Sequence, residues 1–401
     1  MKSKFLAGVA AIALAPASAM AVGLDRSNSD INVLFEDGNY FELSFGRVFP
    51  DVSGTDGAIN PPIGTPGGFN SGDVAEDFTQ IGAGLKLQLS EKLSMAFISG
   101  EPFGADVSYP TFAAGGSANL GGTSAQLDSS ELMALARYKI NDNFSVHGGL
   151  RYVRLGDAEV TLSGAAYGGP VNAPAPNTGL NGYNVQFGDD ADLGYAIGAA
   201  YERPEIALRV ALTYFSKTEH DLPTNETIPG TPIRADTADT RVETPDSINL
   251  DFQTGLNQKT LLFGQIRYAW YEDVILRPQA YSVATPNSLT DIDNNYSLQI
   301  GVGRRLTDKL SGSVTFGYEP KGDDDFVSAL APTNGQKSIG IGLSYDVTDQ
   351  LTVAGGVRYV KLGDARPDSG ACGIPALAPG GCGTFENNDV IGVGLQVGYS
   401  F

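Results

Sequence analysis

Histidine is nearly missing from this chain: His147 and His220 are the two copies in 401 residues. That scarcity leaves little room for acid–base or zinc chemistry, both of which lean on imidazole. Cysteine is equally scarce. Cys372 and Cys382 fall in one glycine- and proline-rich stretch, GACGIPALAPGGCG. An even pair at short spacing in an exported chain suggests a loop disulfide, whereas zinc would need further ligands and neither histidine is near in sequence. No GxSxG, HExxH or phosphate-binding glycine loop occurs. Ser145 and His147 share a strand face with Arg151 further along; a Ser/His pair two residues apart reads as a row of polar, lumen-facing side chains. The sequence therefore carries no expected catalytic residue, cofactor or metal site, and an enzyme is not expected.

Long apolar runs are missing too. Past the N-terminus no stretch reaches the roughly 18 to 20 apolar residues of a membrane helix. Met1–Ala21 is a separate case. Lys2 and Lys4 precede an apolar run from Phe5 to Ala15, and Ala19-Met20-Ala21 offers small residues for cleavage. Residues 1–21 are read as a secretory signal peptide and set aside from the fold. Positive charge is short as well, with 26 Lys and Arg against 46 Asp and Glu. The net charge of −20 becomes −22 once Lys2 and Lys4 leave with the signal. A chain this acidic has no overall field for nucleic acid or anionic lipid. Its acids gather in expected loops (Asp189, Asp190 and Asp192; Asp323, Asp324 and Asp325) and read as solvated, because a carboxylate cluster alone does not make a divalent-cation site.

What the chain does have is alternation and glycine, 51 of them. In the closing stretch NDVIGVGLQVGYSF, Ile391, Val393, Leu395, Val397, Tyr399 and Phe401 take one parity. Glycine, Gln396 and Ser400 dominate the other. Successive strand side chains point to opposite faces, so this segment has one greasy side and one small or polar side. Ending on an aromatic residue fits a last strand that closes a barrel with its apolar face to lipid. The same pattern recurs in fourteen strands, beginning at Tyr40. Their connections alternate between short ones of about two to five residues and long ones of about fifteen to thirty, as in bacterial outer-membrane barrels. A membrane protein without spanning helices must be a closed barrel, since lipid satisfies no backbone group. The expected fold is all-β, a 14-stranded antiparallel transmembrane β-barrel over residues 39–401. Residues 22–38 precede it, either as a disordered leader or as a segment folded inside as a plug.

Two further features stand out. GGLRYVRLGDA (Gly148–Ala158) recurs as GGVRYVKLGDA (Gly355–Ala365), read as one strand design used twice, with Tyr152 and Tyr359 near the interfacial aromatic girdle. The third strand, Leu93–Tyr109, is broken at Gly100-Glu101-Pro102-Phe103-Gly104. Proline lacks an N–H and glycine a side chain, so the ladder can lapse there, as a wall gap or as a plain β-bulge.

The fourteen strands, the segment before the first of them and Pro102-Phe103-Gly104 in the third together resemble the FadL-type outer-membrane transporters of long-chain fatty acids and other hydrophobic compounds. The leader is shorter than that family's hatch, the Asn-Pro-Ala signature is missing, and Pro110–Ala125 is short for its helical cap. The resemblance implies an N-terminal hatch, a greasy outer pocket and passive lateral release at the kink. Glu101, Pro102, Phe103 and Gly104 would be gating residues, and Leu34 and Phe35 would touch ligand or staple the leader to the wall. The implied partners are hydrophobic small molecules, fatty acids first, with outer-membrane lipid and lipopolysaccharide around a monomer. The barrel-assembly machinery would recognise the strand ending in Phe401. A general diffusion porin and a structural outer-membrane protein are the alternatives. Few mid-strand lumen charges (Lys86, Arg151, Arg358) argue for a narrow, occluded lumen rather than a porin.

Overall fold

The computed structural model describes residues 24–27, 29–168, 179–228, 234–290, 292–322 and 324–401. The expected signal peptide and Asp323 lie outside them. Alternation has its anticipated consequence. In the last strand, Asp389–Ser400, the side chains of Ile391, Leu395, Val397 and Tyr399 are exposed on the outside while Val390 and Gln396 are buried. That strand pairs along its length with the first, Tyr40–Asp51, from Tyr40 opposite Ser400 to Asp51 opposite Asp389. The sheet thus returns on itself, as a span through lipid requires.

Between them run the second strand (Phe78–Gln88), the third in two pieces (Leu93–Gly100 and Gly104–Ser108), the fourth (Ser124–Lys139) and the fifth (Phe144–Leu162). Asp190–Arg203, Leu208–Phe215, Ser247–Asn257 and Thr260–Ala269 are the sixth to ninth. Asn295–Arg305, Leu310–Glu319, Gln336–Asp346 and Leu351–Leu362 complete the 14-stranded antiparallel barrel. Tyr152 and Tyr359 face outward and are exposed.

One stretch read from the sequence as a loop is sheet. Glu219–Thr227 and Arg234–Glu243 form an antiparallel hairpin above the seventh and eighth strands. Its first strand also pairs with Tyr183–Phe187, which continues the ladder of the fifth strand. The inward face carries His220, Leu222, Thr224 and Glu226, so polarity rises on both faces and the apolar alternation fades although the backbone continues. His220, read as a loop residue, is therefore a buried strand residue bonded to Thr218, with Asp190 3.3 Å away.

The long connections fold together as a cap over one end of the barrel. Val52, Tyr109, Leu120, Tyr167, Leu180, Ala371 and Phe385 belong to one apolar cluster drawn from separate loops. Polar anchors hold it. The Asp56 carboxylate accepts from the Ser117 hydroxyl and the backbone N–H groups of Ala118 and Asn119; burial pushes its carboxyl up and these bonds pull it down. Cys372 and Cys382 are disulfide-bonded, and the Asn119 amide donates to the Cys382 carbonyl. Within the loop 276–292 a short helix, Gln279–Ala284, is held by Glu226, which accepts from the N–H groups of Ala280 and Tyr281.

Candidate functional site

The leader lies inside the barrel. Its residues Ile31, Val33, Leu34 and Phe35 pack on an apolar patch of the inner wall made by Ala96, Met133, Leu135, Ala196, Ala200, Ala211 and Phe215. The alanines of the third, sixth and seventh strands leave room for this face. Leu34 is 0% exposed. The Phe35 ring has the Arg137 and Arg209 guanidinium groups 4.7 and 4.6 Å from its centroid and His147 edge-on at 5.6 Å. A ring's negative face attracts such cations, each worth about 0.5–2 kcal/mol depending on desolvation. Leu34 and Phe35 thus both pack against the inner wall. Ser145 and His147 lie in a lumen-facing polar row, bonded to Arg137 and Thr213 respectively.

Polar bonds fix the leader at both ends. At the Glu36 end, Lys86 Nζ donates to the carbonyls of Glu36 and Gly38 at 2.6 and 2.9 Å, and Arg209 donates to Asn32. At the start, Asp25 and Arg267 form an ion pair at 2.7 Å, both side chains at most 1% exposed, while Ser247 and Asn249 accept from the same guanidinium. These partners show that the lumen carries more charge than Lys86, Arg151 and Arg358. Arg137, Arg209, Asp251 and Arg267 also point inward, and much of that charge is used to hold the leader. The inward parity of the ninth strand, Leu261, Phe263, Gln265 and Arg267, held this signal in the sequence.

The leader's first described residues meet the third-strand kink. Gly100 stands opposite Glu131 and Gly104 opposite Asp128, so the kink inserts one extra residue against the fourth strand. Toward the second strand the break is larger. That ladder runs from Gln88 opposite Ser94 to Ala83 opposite Ser99 and stops. Contact resumes beyond the second strand, at the bridge of Ala75 with Val107. Among the described residues no ladder joins 77–82 to 100–105, so the interruption is a bulge on one side and a gap on the other.

Leu24–Arg26 crosses this gap from within. Asp25 bridges Phe103, the Arg26 N–H donates to the Pro102 carbonyl at 2.8 Å, and the Gly104 N–H donates to the Leu24 carbonyl at 3.0 Å. The Gln80 amide of the second strand donates to the Arg26 carbonyl at 2.6 Å. Ser129 turns the kink: its hydroxyl accepts from the Phe103 N–H and donates to the Phe103 carbonyl. The Phe103 ring is buried in the cap's apolar cluster. The Arg26 guanidinium occupies the space that a Cβ at Gly104 would take, so a side chain there would have to displace it. The guanidinium packs over the Phe78 ring at 4.2 Å.

Two cavities adjoin this junction. The larger, about 190 Å³, touches both rims of the gap, Ile81–Ala83 and Ile98–Glu101, and is lined further by Val33, Met133, Phe263 and Arg358. The smaller, about 40 Å³, is mostly apolar, between Leu24, Val52, Val74, Phe78, Val107 and Leu330. Arg26 lines both. The structure brings Glu101, Pro102, Phe103 and Gly104 together with the leader, while Cys372 and Cys382 sit in the cap. Asp25, Arg26, Arg267, Ser129 and Phe78 were not singled out from the sequence, because their pairing spans most of the chain's length.

A family model described as outer membrane protein transport protein (OMPP1/FadL/TodX) matches residues 8–401. No curated protein matches the chain in sequence. Among solved structures, a Pseudomonas aeruginosa FadL homologue superposes with a TM-score of 0.71 at 16% identity, covering 100% of this chain and 98% of that one. The P. putida toluene transporter TodX gives 0.63 at 14% identity, covering 91% of each chain. The Ralstonia pickettii toluene transporter TbuX gives 0.61 at 13%, covering 97% of each. At these identities the structural likeness is one of fold.

Proposed function

Because the chain belongs to the OMPP1/FadL/TodX family of outer membrane transport proteins, we propose that this outer-membrane channel for hydrophobic compounds carries long-chain fatty acids and releases them sideways. In this reading a hydrophobic compound binds first in the apolar space beside Leu24, Phe78 and Val107, under the cap. It then passes Arg26 and leaves through the wall between the second and third strands. Passage is passive, and no residue performs chemistry. Glu101, Pro102, Phe103 and Gly104 form the moving rim, and Leu34 and Phe35 hold the leader in place.

The observation that carries the reading is the lapsed ladder between 77–82 and 100–105, crossed from within by Leu24–Arg26. A plug beside a side opening suits a cargo that prefers lipid to water, whereas a porin needs a clear axial path. TodX and TbuX are toluene transporters, which favours aromatic hydrocarbons as a second cargo reading. The same proposal removes residues 1–21 on export and leaves residues 22–38 as the hatch. The barrel works as a monomer among lipopolysaccharide, assembled through its last strand and Phe401. The test is uptake of radiolabelled palmitate and toluene by cells producing the full chain or a form lacking Asp25–Glu36. Palmitate uptake above the empty-vector level by the full chain, altered by the deletion, is expected. Equal uptake in all three strains would refute the proposal.

A further inference from the structure

The internal repeat gives two arginines the same local sequence but different surroundings. Arg151 and Arg358 hold equivalent positions in GGLRYVRLGDA and GGVRYVKLGDA, and both point into the lumen. Arg151 is 2% exposed and fully engaged: its Nε donates to Glu131 at 2.6 Å and its Nη1 to the Ser216 carbonyl at 2.8 Å. Arg358 stands between two glycines, Gly340 on the twelfth strand and Gly392 on the fourteenth. Neither supplies a side chain. Among the described residues Arg358 has no ion pair and no hydrogen-bond partner. It faces the larger cavity instead.

The other cations on that cavity are engaged. Arg26 packs over Phe78 with Glu101, Asp106 and Asp128 nearby. Arg209 is bonded to Asn32 and packs on Phe35, with Asp251 and Glu36 nearby. A guanidinium withdrawn from bulk water normally acquires a partner, because an unpaired charge there is costly. Its planar fork matches a carboxylate bidentately. The cavity also offers apolar contact at Val33, Ile98, Met133 and Phe263. Six carboxyl side chains also line it, Asp30, Glu36, Glu42, Glu101, Glu131 and Asp251; with Arg26 and Arg209 engaged, an anion finds an open cationic partner there at Arg358.

We propose that Arg358 receives the anionic head group of an amphipathic cargo, a carboxylate at the end of a hydrocarbon chain, and so selects acidic amphiphiles over neutral hydrocarbons. This rests on the hydrophobic-compound reading above. A small free carboxylate shares the head-group chemistry but gains nothing from the apolar wall, since each buried methylene adds to affinity.

The test uses the full mature chain in detergent, binding [14C]palmitate in competition with palmitate methyl ester, toluene and acetate. Arg358→Gln should weaken palmitate at least tenfold and leave the ester within twofold, while Arg358→Lys should lose less than Arg358→Gln. Gly392→Glu, which gives the intact Arg358 a partner, should weaken palmitate in the same way; it keeps the test open should Arg358→Gln fail to show the folded barrel's heat-modifiable gel mobility. Unchanged palmitate binding in both variants, with ester still bound, overturns the head-group proposal and leaves the transport reading standing. Acetate competing as well as palmitate overturns it in favour of a small-anion site. A wild-type protein that binds none of palmitate, ester or toluene instead removes the transport reading beneath it.

Discussion

Arg26 sits where the leader, the second strand and the kink meet, and its place is made by what Gly104 lacks. Gly104→Leu would drive a side chain into the guanidinium and push it off Phe78. The lost cation–π contact is worth about 0.5–2 kcal/mol. Hydrogen exchange at the Arg26 amide, now bonded to the Pro102 carbonyl, should speed up about tenfold, which corresponds to about 1.4 kcal/mol. Unchanged exchange would mean that Arg26 does not hold the leader at the kink. Asp25 makes the heavier demand. Asp25→Ala strands Arg267 as a buried, unpaired charge, a change that costs about 3–5 kcal/mol in comparable settings. The leader should detach at that end. Larger and more frequent conductance steps in planar bilayers are expected, together with protease access to the leader. Asp25→Leu with Arg267→Met, which removes both charges, should restore much of the closed behaviour. A double variant as leaky as the single one would show that the pair itself is not the tie.

The cap and the barrel are held by different forces, and this separates their responses. Replacing Cys372 and Cys382 by serine opens a ten-residue loop, with a cost of about 2–3 kcal/mol on loop-entropy grounds. Exchange should quicken in the cap near Asn119 and Tyr109, while heat-modifiable mobility of the barrel stays as it was. Loss of barrel heat resistance would show that the cap supports the wall. The strands were legible because one face of each meets lipid and the other a confined lumen, so alternation is enforced residue by residue. Above the membrane that enforcement ends, and Glu219–Thr227 and Arg234–Glu243 therefore read as loop although their backbone stays in sheet. The kink was legible from Pro102 and Gly104, with a wall gap and a plain bulge as its two alternatives, but the side on which each falls was not. It depends on how the second strand pairs, and on Ala75 bridging Val107 beyond it. The leader's position was left open for a related reason: its anchors, Arg209, Asn249 and Arg267, lie far along the chain. The inward charges were countable, yet their partners became visible only in the closed barrel.

At the scale of the whole molecule, closure of the first strand on the last fixes a cylinder with greasy outer rows, and the leader occupies its interior. The central claim is that cargo leaves through the wall at the third strand rather than along the axis. Gly100 to Gly104 spans one residue more than Glu131 to Asp128, so deleting Pro102 lets the third strand run in register and draws it toward the second. The decisive measurement is the initial rate of [14C]palmitate uptake by cells producing equal amounts of the full chain and of the Pro102 deletion, both shown to be folded by heat-modifiable mobility. The account predicts a fall of at least tenfold in the deletion; uptake at the rate of the intact chain would contradict it.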